Sequence, residues 1–223
     1  MLRTYRRLLC RSFPFNEEGQ ELIDSRNNLG VVTLSPLLCA LRSNSLEGFW
    51  NELEKATSIA KDALMFRIER FDTVTSDAAP ILYQNGSLNV DLKKGEKVSE
   101  VFKDGFSSVS LGFLGLHECV VQLTGKAPYD CKDSYNLQMD ILKFLDDKAK
   151  QWKKETGYGF STYSTPNEST SLRLVRLYKE KYGEIKGVTD HVYLTNSFHV
   201  FPEKNMNAFD KIDFEAPFIK HSS

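Results

Sequence analysis

The chain carries SSVSLGFLGLHECVVQLTG at residues 107–125, a segment whose pattern changes midway from extended to helical. Its first half predicts a strand and its second half predicts an α-helix. Gly125 predicts the helix end, because glycine often occupies the position just after the last helical turn. Strands and long helices alternate on both sides of this segment, which favours an α/β fold with several parallel strands.

A short buried strand and a strong helix precede this segment. LGVVTL at residues 29–34 predicts the strand, which polar turn residues lead into. The helix is expected from about residue 46 to 71, with Asn44 and Glu47 at the spacing of a capping box. Its apolar stripe consists of Phe49, Leu53, Ala56, Ala60, Ala63 and Ile68.

A second long helix and further extended pieces are predicted in the rest of the chain. The helix is expected at about residues 134–156, and GYGFSTYSTPNES at 157–169 predicts a strand that ends in a loop at Pro166. Residues 188–198, VTDHVYLTNSF, predict another strand. Residues 78–92 predict two short extended pieces around an Asn-Gly turn.

Polar segments follow or end two of these predicted strands. The carboxyl ends of strands are where α/β folds gather their functional groups. The loop STPNES at 164–169 and the segment TNSFH at 195–199 are therefore the places where chemistry is expected.

Composition limits the class of protein without revealing its function. The 223 residues are 41% hydrophobic and 26% charged, typical of a globular protein with one large domain or two small ones. The 30 acidic and 29 basic residues give no electrostatic case for a nucleic-acid or anionic-membrane partner. No run of about 18 apolar residues predicts a membrane span.

The amino terminus, MLRTYRRLLCRSFPF, is basic and only lightly apolar. A signal peptide needs an uninterrupted apolar run of about 7–15 residues. Arg6, Arg7 and Arg11 interrupt every such run, so secretion is not expected, and a mitochondrial presequence is the weaker competing interpretation.

Cysteine and histidine spacing argues against a zinc site, because there is no CxxC pair and no two histidines are three to five residues apart. Cys39 and Cys119 lie in apolar segments and are expected to fill the core, and Cys131 lies in a polar turn. Cys10 precedes Arg11, whose charge would lower the thiol pKa and favour reactivity, although a buried, unreactive thiol is the alternative.

The familiar phosphate-loop, dinucleotide, zinc-protease and serine-hydrolase motifs are absent from the sequence. Longer segments instead follow one another in a recognisable order. They are CRSF (10–13), SRNNLGVVTL (25–34), ALMFRIERF (63–71), APILYQNGSL (79–88), SVSLGFLGLHE (108–118), KETGYGFSTYSTPNES (154–169), KGVTDHVYLTNSFHV (186–200) and FDKIDFEAPF (209–218). Together they resemble the anaerobic (class III) ribonucleoside-triphosphate reductases, a family of glycyl radical enzymes.

The resemblance covers residues 10–218 and implies part of a ten-stranded α/β barrel with finger loops inside it. Residues 1–223 are then a single, partial catalytic barrel domain. The family's amino-terminal cone domain, its carboxyl-terminal zinc site and its glycyl radical segment have no match in this sequence, so no bound zinc and no glycyl radical are expected in the chain alone. An incomplete barrel with open edges is expected to aggregate or to need a partner.

The resemblance also implies a reaction, the reduction of ribonucleoside triphosphates to deoxyribonucleotides. In the family a glycyl radical, installed by an activase that uses S-adenosylmethionine and an iron–sulfur cluster, oxidises a finger-loop cysteine. The thiyl radical removes the 3′ hydrogen of the ribose, the 2′ hydroxyl leaves as water, and formate supplies the electrons. The full-length enzymes are cytoplasmic homodimers, with no nucleic-acid or membrane partner expected.

Five residues of this chain match functional positions of the family. Cys10 matches the thiyl cysteine, and Ser12 matches a small polar residue beside it. Asn28 matches an asparagine near the ribose hydroxyls, where an amide can both donate and accept. Tyr163 and Glu168 match a tyrosine and a glutamate that face the ribose, near the phosphates. Without the resemblance, Asn28 would be read as a turn residue and Glu168 as a solvated loop acid.

Other positions match without an assigned role or depart from the pattern. Asn196 and His199 match a family motif, and a lone histidine such as His199 is expected to be hydrogen-bonded and structural. Leu8-Leu9 replace Met-Gly before the cysteine, and Ser35–Leu38 lack the arginine of Asn-Leu-Pro-Arg. Leu172–Leu174 replace Asp-Arg-Phe.

Two interpretations stay open: a reductase fragment that is catalytic only with its missing parts, or a non-catalytic remnant that binds nucleotide or another polypeptide.

Overall fold

The computed structural model describes residues 27–88, 90–102 and 107–222. In chain order the elements are β1 (Asn27–Leu34), α1 (Pro36–Arg42), α2 (Leu46–Glu69), α3 (Pro80–Tyr83), β2 (Ser107–Phe113), α4 (Leu116–Thr124), α5 (Lys132–Thr156), β3 (Gly159–Ser164), α6 (Glu168–Tyr182) and α7 (Ala208–Glu215). Short 3₁₀ turns lie at Arg70–Thr73, Ser76–Ala78, Ser99–Phe102 and Ala216–His221. No helix within the described ranges is long and apolar enough to cross a lipid bilayer.

The strands form one parallel sheet in the order β1-β2-β3. Val31 of β1 is in register with Ser110 of β2, which is in register with Ser161 of β3. Because parallel neighbours need long crossover connections, helices link each strand to the next. The predicted α/β class with parallel strands is therefore confirmed.

Helices cover one face of the sheet and form the main core. Leu111 of β2 and Phe160 of β3 belong to this core, together with residues of α2 and α5 such as Leu64 and Leu145. The indole ring of Trp152 in α5 lies edge-on to Phe160, with 5.6 Å between ring centroids. Each fully buried side chain of this size contributes about 1.5–3 kcal/mol to folding.

The opposite face of the sheet carries small and hydroxyl side chains. Ser110, Gly112 and Ser161 alternate with the apolar residues of β2 and β3, so they point away from the main core. Ser110 and Ser161 are nevertheless buried. We call this the polar face of the sheet.

Several local predictions are confirmed by the structure. Residues 107–125 form a strand followed by a helix, and Gly125 ends that helix in the left-handed conformation, with φ of 72°. The second long helix spans Lys132–Thr156, and Cys39 and Cys119 are buried. The cap of α2 differs from the prediction, because the side chain of Ser45, and not that of Asn44, accepts the backbone N–H of Gly48. Ala63 is exposed and Leu64 takes its place in the core.

Residues 78–92 were expected to be extended, and this prediction is wrong. Pro80 begins the one-turn helix α3 instead, at a position where its missing N–H costs nothing. Tyr83 at the end of α3 packs into a second, smaller hydrophobic cluster with Val98, Val101 and Phe102. Burial of this tyrosine therefore decides the local conformation.

The strand predicted at residues 188–198 is also wrong. The segment forms turns, and only a single antiparallel bridge joins Asn196 to Leu114. Besides α3, three helices were not predicted, α1, α6 and α7. Glu168 consequently belongs to the first turn of a helix and not to a loop.

Replacing Gly112 with alanine should lower the free energy of unfolding by about 1–3 kcal/mol, the usual effect of overfilling a packed site. A methyl group there would meet the hydroxyl of Thr165 and lie 2.7 Å from Thr33 Oγ1. Urea denaturation of both proteins measures the difference. Gly48→Ala in α2 is the control, because a methyl group there meets no atom closer than 3.2 Å. Equal losses in the two variants would contradict the packing described.

Candidate active site

Asn28 stands at the start of β1 on the polar face. A bulge lies between Asn28 and Gly30, and the Asn28 side chain bridges it, because its Oδ1 accepts the backbone N–H of Gly30 at 2.7 Å. Its Nδ2 donates to Ser110 Oγ on β2 at 3.0 Å. The amide is thus held in place from both ends, although Asn28 itself is exposed.

Tyr163 stands near the carboxyl end of β3 on the same face. It is in register with Gly112 of β2, two residues beyond the Ser110 that binds Asn28. Asn28 is in register with Ser108, and its amide reaches Ser110, two residues or about 7 Å before Gly112, so both side chains stand on the polar face. Gly112 has no side chain to separate them, and Tyr163 is partly exposed.

Threonine hydroxyls extend this surface toward the carboxyl ends of the strands. Thr33 Oγ1 of β1 lies 3.4 Å from Thr165 Oγ1, which follows β3 directly. Both hydroxyls border the space above Gly112. The polar face therefore presents amide, hydroxyl and phenol groups, which suit a ligand rich in hydroxyls.

Glu168 is the first residue of α6, four positions past the end of β3. Asn167 caps this helix, because its Oδ1 accepts the backbone N–H of Thr170 at 3.0 Å. The Glu168 side chain is exposed. A carboxylate in this position is favoured by the partial positive charge of the helix amino terminus.

The structure brings together part of the predicted set. Asn28 and Tyr163 share the polar face, and Glu168 follows β3 at its carboxyl end. Cys10 and Ser12 lie outside the described residues, so their positions relative to this surface stay predictions.

Asn196 and His199 each contact a residue that is distant in the sequence. Asn196 Oδ1 accepts the backbone N–H of Asn167 at 3.4 Å, which joins the 195–199 segment to the cap of α6. His199 Nδ1 lies 3.2 Å from a carboxylate oxygen of Glu215. His199 therefore has a carboxylate neighbour, and the expectation that it is hydrogen-bonded and structural stays a prediction.

A buried charged cluster was not predicted from the sequence. Glu118, in the first turn of α4, has no exposed surface, and its Oε1 accepts the backbone N–H and the hydroxyl of Thr195 at 2.8 and 2.6 Å. His191 lies between two carboxylates, with Nε2 3.3 Å from Glu118 Oε1 and Nδ1 3.2 Å from Asp190 Oδ1. The available signal was an acidic residue inside the apolar run FLGLHECVV.

Two opposing effects set the protonation of this cluster. Burial alone would lower the pKa of His191, but the carboxylates of Glu118 and Asp190 outweigh it and raise that pKa above its ordinary value. Burial alone would raise the pKa of Glu118, but contact with His191, the charge of His117 and the hydrogen bonds from Thr195 hold it below the ordinary range. Burial lowers the pKa of His117, which stacks between Tyr129 and Phe201.

In the described part of the chain no group of three or more potential ligand side chains could hold a metal ion.

Comparison with known proteins identifies the family of this chain. A family model for anaerobic ribonucleoside-triphosphate reductase matches residues 3–223. The chain belongs to this reductase family. The family assignment made from the ordered sequence segments is therefore confirmed.

Relatives within the family are substantially longer than this chain. The anaerobic ribonucleoside-triphosphate reductase of Escherichia coli K12 is 45% identical over 214 residues, which cover 94% of this chain and 30% of the relative. The enzyme of the same name from Enterobacteria phage T4 is 41% identical over 217 residues, which cover 94% of this chain and 34% of the relative. The chain spans about a third of the length of the curated relatives that it matches.

Solved structures confirm the fold. The anaerobic ribonucleotide reductase of Thermotoga maritima, with citrate in its active site, matches with a TM-score of 0.69 at 18% identity, covering 95% of this chain and 36% of that one. A further anaerobic ribonucleotide reductase gives a TM-score of 0.72 at 18% identity, covering 95% of this chain and 31% of that one. The chain thus has the fold of one part of a larger reductase.

Replacing His191 with glutamine should destabilise the chain most at pH 6 and progressively less toward pH 9. Because the folded pKa of His191 is raised, its stabilisation is complete below the unfolded pKa of about 6.5 and is lost as the pH rises through the folded value. Urea denaturation of both proteins across this range measures the difference. His199→Gln is the control, because that imidazole is 47% exposed and its ion pair should contribute little. A difference for His191→Gln that does not change with pH would contradict the charge assignment.

Proposed function

We propose that this chain forms part of the catalytic barrel of an anaerobic ribonucleoside-triphosphate reductase and that its polar face binds the ribose of the substrate. One observation carries the proposal: the Asn28 amide is fixed by Ser110 on the same face of the sheet as Tyr163. Family membership supplies the reaction class, and the polar face supplies a surface suited to it.

The groups of this surface match what a ribose offers. Ribose presents hydroxyls that both donate and accept hydrogen bonds. The Asn28 amide has a second N–H beyond the one that binds Ser110, and the Tyr163 phenol can donate or accept. Glu168, at the end of β3, adds an exposed carboxylate that can accept a hydrogen bond from a sugar hydroxyl.

The proposed reaction follows from radical chemistry at Cys10. The sulfur radical takes the hydrogen atom from C3′, so an S–H bond forms and the C3′–H bond breaks. The C2′–O bond breaks as the 2′ hydroxyl leaves with a proton as water. Formate is oxidised to carbon dioxide and a proton, and its two electrons, with that proton and a second one, form the new C2′–H bond and restore the radical at C3′. The thiol then returns the hydrogen atom to C3′, which leaves a deoxyribonucleotide and restores the sulfur radical. A glycyl radical from outside the matched sequence would supply the initial oxidation of the cysteine.

Asn28 and Glu168 act on the ribose hydroxyls in this scheme. Hydrogen bonds that strengthen as charge develops on the leaving oxygen accelerate its departure. The Asn28 amide does not ionise, so it orients the ribose through hydrogen bonds without exchanging protons. Glu168 is placed to move a proton at a sugar hydroxyl.

The proposal requires partners besides the nucleotide. They are the remaining parts of the reductase, including its zinc segment, and a radical activase with an iron–sulfur cluster and S-adenosylmethionine. A second copy of the full-length enzyme and a cytoplasmic location belong to the same proposal.

Replacing Cys10 with serine should abolish deoxynucleotide formation when the chain is complemented by a polypeptide that carries the activated glycyl segment. Serine is nearly isosteric, but its O–H bond is too strong for a glycyl radical to break. The assay measures deoxyribonucleoside triphosphate formed from each variant. Cys131→Ser, at a half-buried thiol outside the site, is the control and should keep full activity. Residual turnover of even about one per cent in Cys10→Ser would refute the thiyl assignment.

Replacing Asn28 with alanine should reduce turnover by about 10²–10³, the usual effect of losing one well-placed hydrogen bond to a reacting group. Glu168→Gln should impair turnover in the same assay, and both variants should still exchange hydrogen with the C3′ position. Asn85→Ala is the control, because the Asn85 amide also makes a hydrogen bond to the backbone, to the Pro80 carbonyl, but lies in the turn after α3. Equal turnover of Asn28→Ala and Asn85→Ala would count against the ribose site.

The same assay separates the two readings of the chain. A reductase part gives turnover once the complementary polypeptide is present. A non-catalytic remnant gives none, even where equilibrium dialysis shows that ribonucleoside triphosphate binds.

A further inference from the structure

Glu118 is the most enclosed acidic group in the described part of the chain, with no exposed surface. Its Oε1 accepts two hydrogen bonds from Thr195, and its Oε2 has no hydrogen-bond donor among the described residues. Oε1 also lies 3.3 Å from His191 Nε2, and a buried ion pair of this kind is weak evidence of a net gain in folding stability. Its value therefore lies in the conformation of the segment that it holds.

That segment is a turn with an unfavourable backbone. Ser197 is the single non-glycine residue with positive φ in the described ranges, at 53°. A residue with a side chain adopts this left-handed conformation only at a cost in free energy. Both polar groups of the Thr195 backbone are bound to the start of α4: its N–H donates to Glu118, and its carbonyl accepts the backbone N–H of Gly115 at 3.1 Å. The buried carboxylate thus holds a turn that would otherwise relax.

The turn is connected to the candidate active site. Asn196, between Thr195 and Ser197, accepts the backbone N–H of Asn167 through its Oδ1. Asn167 in turn caps α6, whose first residue is Glu168. Hydrogen bonds and two peptide links therefore connect Glu118 to Glu168, through Thr195–Asn196 and Asn167.

We propose that Glu118 is a positioning residue for the active site. Its buried carboxylate fixes the Thr195–Ser197 turn, and the Asn196 side chain of that turn sets the amino end of α6 and with it Glu168. The functional importance of this position rests on the proposed function, whereas the structural coupling does not. The coupling is therefore tested without any assay of activity.

The test is amide hydrogen exchange, followed by NMR at single residues in the whole chain. In Glu118→Ala the amide of Thr195 should exchange at least about tenfold faster, because it loses a charged acceptor. The amides of Asn167 and Thr170, which Glu118 does not touch, should also exchange at least about tenfold faster. Amides in the middle of α5 should be unchanged, which separates a local effect from general destabilisation.

Three further variants make the result specific. Glu118→Gln keeps an oxygen that can accept both bonds from Thr195, so it should restore most of the protection at Asn167 and Thr170, and it also serves if Glu118→Ala does not fold. In Asn196→Ala the path is cut, so adding Glu118→Ala should have no further effect at Asn167. Glu215→Ala is the control, because Glu215 accepts the backbone N–H of Val200 in the same segment but does not contact the turn. It should leave the exchange rates of the Asn167 and Thr170 amides unchanged.

Unchanged exchange at Asn167 and Thr170 in Glu118→Ala would overturn the proposal, whatever happens at Thr195. Equal effects of Glu118→Ala and Glu215→Ala at these amides would overturn it as well. In the complemented activity assay, Glu118→Ala should lower kcat more than it changes KM. Absence of any turnover in the unaltered chain would refute the proposed function while the exchange result still decides the coupling.

Discussion

The parallel pairing of β2 with strands on both sides is the constraint on which the rest of this structure depends. A parallel strand in the middle of a sheet needs helical crossovers, and these cover one face with Leu111, Phe160 and the apolar sides of α2 and α5. The other face cannot be filled in the same way, because Ser110 and Gly112 alternate with those apolar residues. One strand therefore has to satisfy a dense hydrocarbon core on one side and a polar surface on the other.

The connection between β2 and α4 extends this constraint to the loops. Gly115 adopts the left-handed conformation there, so α4 can begin almost at once, and Glu118 is carried into the interior within its first turn. The carboxylate then finds its hydrogen bonds in a segment 77 residues later, at Thr195. The hydrogen bonds of this carboxylate, together with the burial of Leu194 and Phe198 in the main core, thus fix the irregular segment that borders the carboxyl ends of the strands.

Sequence patterns predicted the elements whose residues carry their own signal. The strand and helix of residues 107–125, the long helix α5 and the strand β3 have regular periodicity and clear ends, and all four are present. Helix α6 was missed because only Ser171, Val175 and Tyr178 are buried, a stripe too narrow to stand out. The turn at Thr195 was taken for a strand because its conformation depends on the distant Glu118. Asn28, Tyr163 and Glu168 could be named only through family resemblance, since nothing local distinguishes them from ordinary polar residues.

The central claim is that the polar face of the sheet is the side that meets the ribose. A crystal structure of the chain grown with a ribonucleoside triphosphate tests it most directly. We expect ribose hydroxyls within about 3 Å of the Asn28 amide and the Tyr163 phenol. A nucleotide bound elsewhere on the chain, with its ribose in contact with neither side chain, would contradict it.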